Sequence, residues 1–162
     1  MEEEFHNHMR IPWHDYTRKS IGRPITEASL SEKASIIGRT GIMLLSCGTG
    51  AWRVRSSMNT LARELGITCT ADIGLLSIEY TCIDGGNCYT ESLCLFNTGV
   101  NTSKLYRMEL FVNKFSKNCK KMSGDELHTL LDQIHEIHGF YSPPFLGLAA
   151  AVACSAITFL LG

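Results

Sequence analysis

The sequence predicts an α+β fold in which helices pack on one face of a small, mostly antiparallel sheet, followed by a C-terminal transmembrane helix. Three observations carry this reading. Residues 29–65 and 103–137 hold apolar residues at helical spacing. Residues 67–97 hold strand-like runs between turn signals, with polar and apolar side chains alternating over 77–82. Residues 145–162 run for 18 positions without a charge, and a helix of that length reaches roughly 27 Å, close to the ~30 Å hydrocarbon core of a bilayer. The division follows: a flexible polar leader over 1–28, a cytosolic α+β domain over 29–142, and a transmembrane helix over 143–162 that forms the first span of a larger or multi-subunit assembly.

The leader opens on Glu2, Glu3 and Glu4 and carries His6, His8, His14, Pro12 and Pro24 with no sustained period, so it reads as solvated chain. It is neither basic nor apolar, hence no secretory signal. At Ser29 the pattern changes. Ser29 and Glu32 are spaced as a capping box, and Ile37, Gly41, Leu44 and Leu45 then share one helical face. That helix stops at Cys47-Gly48. A second starts after Thr49-Gly50, with Val54, Met58, Leu61 and Leu65 on one stripe and Gly66 as terminator. Strands follow over 67–72 and 75–83, where Ile78, Tyr80 and Cys82 alternate with Ser77, Glu79 and Thr81. The turn Asp84-Gly85-Gly86-Asn87 returns the chain as a partner strand over 88–97. A helix over 103–118 faces inward through Leu105, Met108, Phe111, Val112 and Phe115. Ser123 and Glu126 form a second capping box, opening a helix with Leu127, Leu130, Leu131, Ile134 and Ile137 on its core side.

Composition narrows the function. A net charge of −1 argues against nucleic acid as a partner, because such proteins present a basic face. The seven cysteines include no C-x-x-C pair and read as small buried hydrophobes in a reducing compartment. Cys82, Cys88 and Cys94 recur every six residues, which strand geometry explains as alignment on one face. No nucleophile elbow or Cys/His catalytic signature appears, so no catalytic residue is assigned, and neither a metal nor a cofactor is expected.

Candidate binding residues come from two places. Gly48-Thr49-Gly50, with Arg53 and Arg55 one turn further, could turn backbone N–H groups and a helix start toward an anion; the same residues equally describe a tight helical hairpin with positive φ at its glycines. Ser77, Glu79 and Thr81 project together from one strand and could line a hydrophilic cavity, or simply form an exposed sheet face. Thr49, Arg53, Arg55, Ser77 and Glu79 are the candidate substrate contacts. His128, Asp132 and His135 share one helix flank at metal-ligand spacing, but read better as a solvated polar face.

The run IIGRTGIMLLSCGTGAWRVRSSMNTLARELGI resembles the opening of the N-terminal domain of the threonine/serine exporter family. Gly41, Leu44, Leu45, Gly48, Ala51, Arg53, Val54, Met58, Leu65 and Gly66 fall at the matching places, and the later elements keep the family order from about residue 30 to 162. Arg55 departs from it, standing where an acidic residue commonly follows the Arg-Val pair. The resemblance implies a bacterial inner-membrane exporter of small amino acids (threonine, serine) or small dicarboxylates. Its soluble domain would be cytoplasmic, and the pathway would be completed by further membrane helices or a separate membrane subunit, in an oligomer. Lys114, Lys117, Lys120 and Lys121, before the apolar run, agree with a cytoplasmic body. The alternative is a single-span, membrane-anchored interaction domain without transport activity.

Overall fold

A computed structural model describes residues 11–18, 22–137 and 143–161 of the chain. Its axis is helix α1 (Leu30–Ser46), opened by the capping box: Ser29 accepts from the Glu32 amide, while the Glu32 carboxylate accepts from the Ser29 amide at 3.0 Å. Two of the donors that a helix start leaves unpaired are thereby satisfied. Every residue from Glu32 to Leu45 is buried. The single inward face expected from Ile37, Gly41, Leu44 and Leu45 is therefore too narrow, because other elements cover α1 on all sides.

The chain reverses at Cys47–Gly50 into α2 (Ala51–Glu64), which packs Val54, Met58 and Leu61 against α1. The positive φ of this reversal falls on Gly48, at +76°; Gly50 is an ordinary extended N-cap at −69°. Gly66 ends the helix at φ +72°.

Strands β1 (Thr68–Ile73), β2 (Ser77–Asp84) and β3 (Asn87–Cys94) form an antiparallel meander in the order β1-β2-β3. Gly85 and Gly86 both take positive φ, 54° and 94°, the signature of a type I′ hairpin turn whose twist matches its strands. One face, with Cys69, Ile78, Tyr80 and Leu93, is buried under the helices. The other presents Asp72, Glu79, Thr81 and Thr90, with the last two hydroxyls 2.8 Å apart. The six-residue cysteine spacing does not put those thiols together: Cys82 is buried, whereas Cys88 and Cys94 are exposed, because the turn reverses the strand between Cys82 and the other two. All seven cysteines are free thiols.

Helix α1 lies on the sheet with almost no clearance. A Cβ on Gly38 would fall 2.7 Å from Tyr80 Cε1 and closer still to its hydroxyl, and one on Gly41 would fall 2.7 Å from Met58 Sδ. Helix α3 (Thr102–Lys114) is capped by Asn101, whose side chain accepts from the Lys104 amide at 2.9 Å. It then widens into a single π-helical turn, Phe115–Cys119, that keeps Phe115 and Cys119 buried. Helix α4 (Gly124–His135) opens on the expected second capping box, Ser123 with Glu126.

The leader is corrected over its described part. Residues 11–18 and 22–28 are not solvated chain: the 3₁₀ turn Trp13–Thr17 buries Trp13 and Thr17, and Ile25 is wholly enclosed. Trp13 and Ile25 are large apolar side chains whose burial outweighs the polar composition around them. His6 and His8 lie outside the described residues.

Helix α5 (Pro143–Leu161) carries no charge, and its described side chains, residues 147–160, are all exposed. Among the described residues no helix is long and apolar enough to cross a membrane; residues 147–160 alone would reach about 21 Å.

Candidate functional site

The five predicted binding residues do not converge on one point. Thr49 lines an open groove of about 410 Å³ between the α1–α2 turn and the β1–β2 turn, together with Gly48, Gly50, Ile73, Leu75 and Thr98. Ser77 closes that second turn, its carbonyl accepting from the Gly74 amide at 2.9 Å. Arg53 is engaged elsewhere: Nη1 donates to Glu109 Oε1 of α3 at 2.8 Å, and the guanidinium lies 5.4 Å from the Trp52 ring centroid. Arg55 Nε donates to the Ala71 carbonyl of β1 at 3.0 Å. Glu79 stands in the middle of the open sheet face, opposite Asp72 and Ser92.

A second constellation lies between the N-terminal 3₁₀ turn, α1 and α4, with Trp13, Arg39 and His128 buried and His14, Asp125 and Asp132 at its half-exposed rim. Arg39, in the middle of α1, is only 2% exposed. Nη2 pairs with Asp132 Oδ1, and Nη1 donates to the His128 carbonyl at 3.0 Å and to His128 Nδ1 at 3.3 Å. The indole of Trp13 closes over this pair, 5.7 Å from the guanidinium and 6.0 Å from the His128 ring. Of the polar flank expected here, His128 is instead wholly enclosed, while Asp132, one helical turn on, stays about half exposed at the rim, where it meets the cation that α1 brings.

The hydrogen-bond network assigns the protonation states. Ser35 Oγ spends its proton on the Glu32 carbonyl at 2.8 Å, so His128 Nε2–H donates to Ser35 and Nδ1 accepts from Arg39. His128 is therefore neutral. Burial, reinforced by the Arg39 charge, pushes its pKa down to about 3. His14 is the opposite case. Nδ1–H donates to Asp125 at 2.6 Å and Nε2–H to Asp132 at 2.9 Å; both acceptors are carboxylates, so both nitrogens carry protons. Those bonds raise the His14 pKa. Partial burial opposes the Asp132 charge, but hydrogen bonds from Arg39 and His14 prevail and hold its carboxyl below the usual range.

A parallel network joins the same turn to the sheet. Tyr16 donates to Glu91 Oε1 at 2.9 Å, and Tyr80 donates to Glu91 Oε2 at 2.6 Å while lying 3.1 Å from the Ala34 carbonyl. Sequence reading singled out His128, Asp132 and His135 but missed Trp13 and Arg39. A cation in the middle of an apolar helix was the one signal that could have pointed there. Among the described residues no group of three or more His, Cys, Asp or Glu is placed to hold a metal ion.

The build is a small α+β body followed by an uncharged helix whose described side chains are exposed. The family model described as "Putative threonine/serine exporter" (ThrE) matches residues 35–162, and the chain belongs to that family. Its members are transporters rather than enzymes. No curated protein and no solved structure matches the chain.

Proposed function

We propose that the chain is the N-terminal part, or one subunit, of a bacterial inner-membrane exporter of threonine and serine or of small dicarboxylates. In this reading the α+β body lies in the cytoplasm, and α5 is the first span of an oligomeric assembly completed by further membrane helices or a separate membrane subunit. The observation that carries it is the family match, which spans residues 35–162, from within α1 through α5.

Thr49, Arg53, Arg55, Ser77 and Glu79 remain the proposed substrate contacts, with Thr49 best placed because it already lines an open groove. Arg53 would have to exchange Glu109 for a substrate carboxylate; both partners are about two-fifths exposed, so such an exchange costs little. Release of threonine, serine and small dicarboxylates from cells lacking this gene should fall and recover on re-expression. Unchanged release rates would overturn the reading. With Arg53→Ala, export should weaken while the melting temperature holds; normal export with clearly earlier melting would make Arg53 structural.

A further inference from the structure

We infer that the body rests on the lipid bilayer through one pole, with Trp52, Leu75, Phe96, Val100 and Tyr106 entering the bilayer interface; this rests on the reading of α5 as a membrane helix. Among the described residues of the body, six large hydrophobic side chains are exposed, and five are these: Trp52 at 69%, Leu75 at 86%, Phe96 at 56%, Val100 at 79% and Tyr106 at 60%. The sixth, Ile83, lies near the far end of β2.

The five come from four segments, α2, the β1–β2 turn, the β3–α3 loop and α3, that the fold gathers at one end. The α1–α2 turn and the β1–β2 turn share the groove that holds Thr49 and Leu75. The loop between β3 and α3 is tied to α1 by the Gly99 amide donating to the Ser46 carbonyl at 3.1 Å, and Val100 lies against Gly48. The Leu95 amide, next to Phe96, donates to the Leu76 carbonyl at 2.7 Å, next to Leu75. Asn101 then binds the Ile137 carbonyl beyond the end of α4 at 3.2 Å.

That last bond fixes where the chain departs. Six Cα steps separate Ile137 from Pro143, the first residue of α5, and six steps span at most about 22 Å. Ile137, bonded to the Asn101 edge of the exposed apolar pole, therefore lies within that reach of the helix assigned to the membrane. Apolar exposure gathered at one end of a body marks a contact surface, and Trp and Tyr are the side chains that favour the headgroup level. Trp52 and Tyr106 lie near the starts of two helices and Leu75, Phe96 and Val100 in loops, so they make no continuous helix or sheet face, which suits shallow insertion of separate tips into lipid better than a subunit interface. Lys104 and Arg107, on the first turns of α3, supply cations where lipid phosphates would lie.

The two tryptophans give a direct test, because Trp13 is buried and Trp52 is exposed. The full chain is reconstituted into phosphatidylcholine/phosphatidylglycerol vesicles with brominated or ordinary acyl chains, beside a Trp52→Phe variant whose spectrum subtracts the Trp13 signal. Trp52 emission should move to shorter wavelength and lose most of its intensity in brominated lipid. Leu75→Asp with Val100→Asp should weaken that quenching while the chain still floats with the vesicles. A floating chain whose Trp52 emits like exposed indole would overturn the inference and leave the membrane assignment of α5 standing. A blue shift without bromine quenching would also overturn it, in favour of a protein contact. A chain that does not float would overturn the α5 reading and this inference with it.

Discussion

His14 and His128 lie with ring centroids 5.7 Å apart and hold opposite protonation states. His14 is an imidazolium because it faces two carboxylates, while His128 is neutral because it is enclosed beside Arg39. Both start from an ordinary value of 6.5 and diverge. In alkali the folded chain must release a proton that the unfolded chain has already lost, so the stability due to His14 is complete below 6.5 and disappears as pH rises through its raised pKa. In acid the unfolded chain gains a proton that His128 refuses, so stability falls from 6.5 toward about 3; the His128 share is on the order of 3–5 kcal/mol at the acid end. Melting temperature against pH should peak near 6.5. In His14→Gln the alkaline decline should shrink and the acid decline remain; a flat profile in the parent chain would contradict both assignments.

The Arg39–Asp132 pair should be asymmetric. Asp132 is about half exposed, whereas Arg39 is enclosed. Asp132→Ala strands a buried cation and should cost about 3–5 kcal/mol in urea denaturation. Arg39→Met leaves a carboxylate that can reach water and His14, and should cost less. The reverse order would show that the Asp132 side chain supports the fold mainly through His14.

Gly38→Ala should destabilise by roughly 1–3 kcal/mol, because the added methyl group meets the buried Tyr80 ring, held between Ala34 and Glu91. Tyr80→Phe should cost about 1 kcal/mol, the worth of a typical buried hydrogen bond. Adding Tyr80→Phe should relieve only part of the Gly38→Ala cost, since ring carbons as well as the hydroxyl are in the way.

What was legible in the sequence was local. Ser29 with Glu32, Ser123 with Glu126, Gly66 and Gly85-Gly86 each fix structure through neighbours a few residues away, and the helices and hairpin begin and end close to where those signals lie. What was not legible depends on distant partners. Arg39 has no partner within its own helix and gains its meaning only when α4 supplies Asp132, and Trp13 looks like part of a polar tail until Arg39 and His128 give it a surface to cover. The five candidate binding residues were chosen from two local patterns, and nothing in either pattern encodes that Arg53 turns to Glu109 on another helix.

The α1–α2 reversal separates its two glycines. Gly48→Ala forces a side chain into φ +76° and should cost about 1–2 kcal/mol. Gly50→Ala has no such angle to adopt and should stay within a few tenths of a kcal/mol to about 1 kcal/mol as a weaker N-cap. Thermal denaturation of the pair checks this; equal losses would place strain at Gly50 after all.

Deleting residues 143–162 should leave cooperative unfolding of the body intact, since none of the described side chains of α5, residues 147–160, belongs to the hydrophobic core. A truncated chain that melts gradually would show that the body needs the terminal helix.

The bonds from His14 to Asp125 and Asp132 span 111 and 118 positions along the chain. During synthesis the N-terminal turn therefore leaves the ribosome early, and its tryptophan can meet Arg39 of α1 soon after but His128 only when the last helix of the body arrives. Closing so long a loop is entropically costly, which makes this seam a late event in folding. By then α5 is the next segment to emerge, so completion of the body and delivery of the apolar helix fall in the same short interval. A chain slowed after α4 should become resistant to protease across residues 11–18 only once that helix is free of the ribosome.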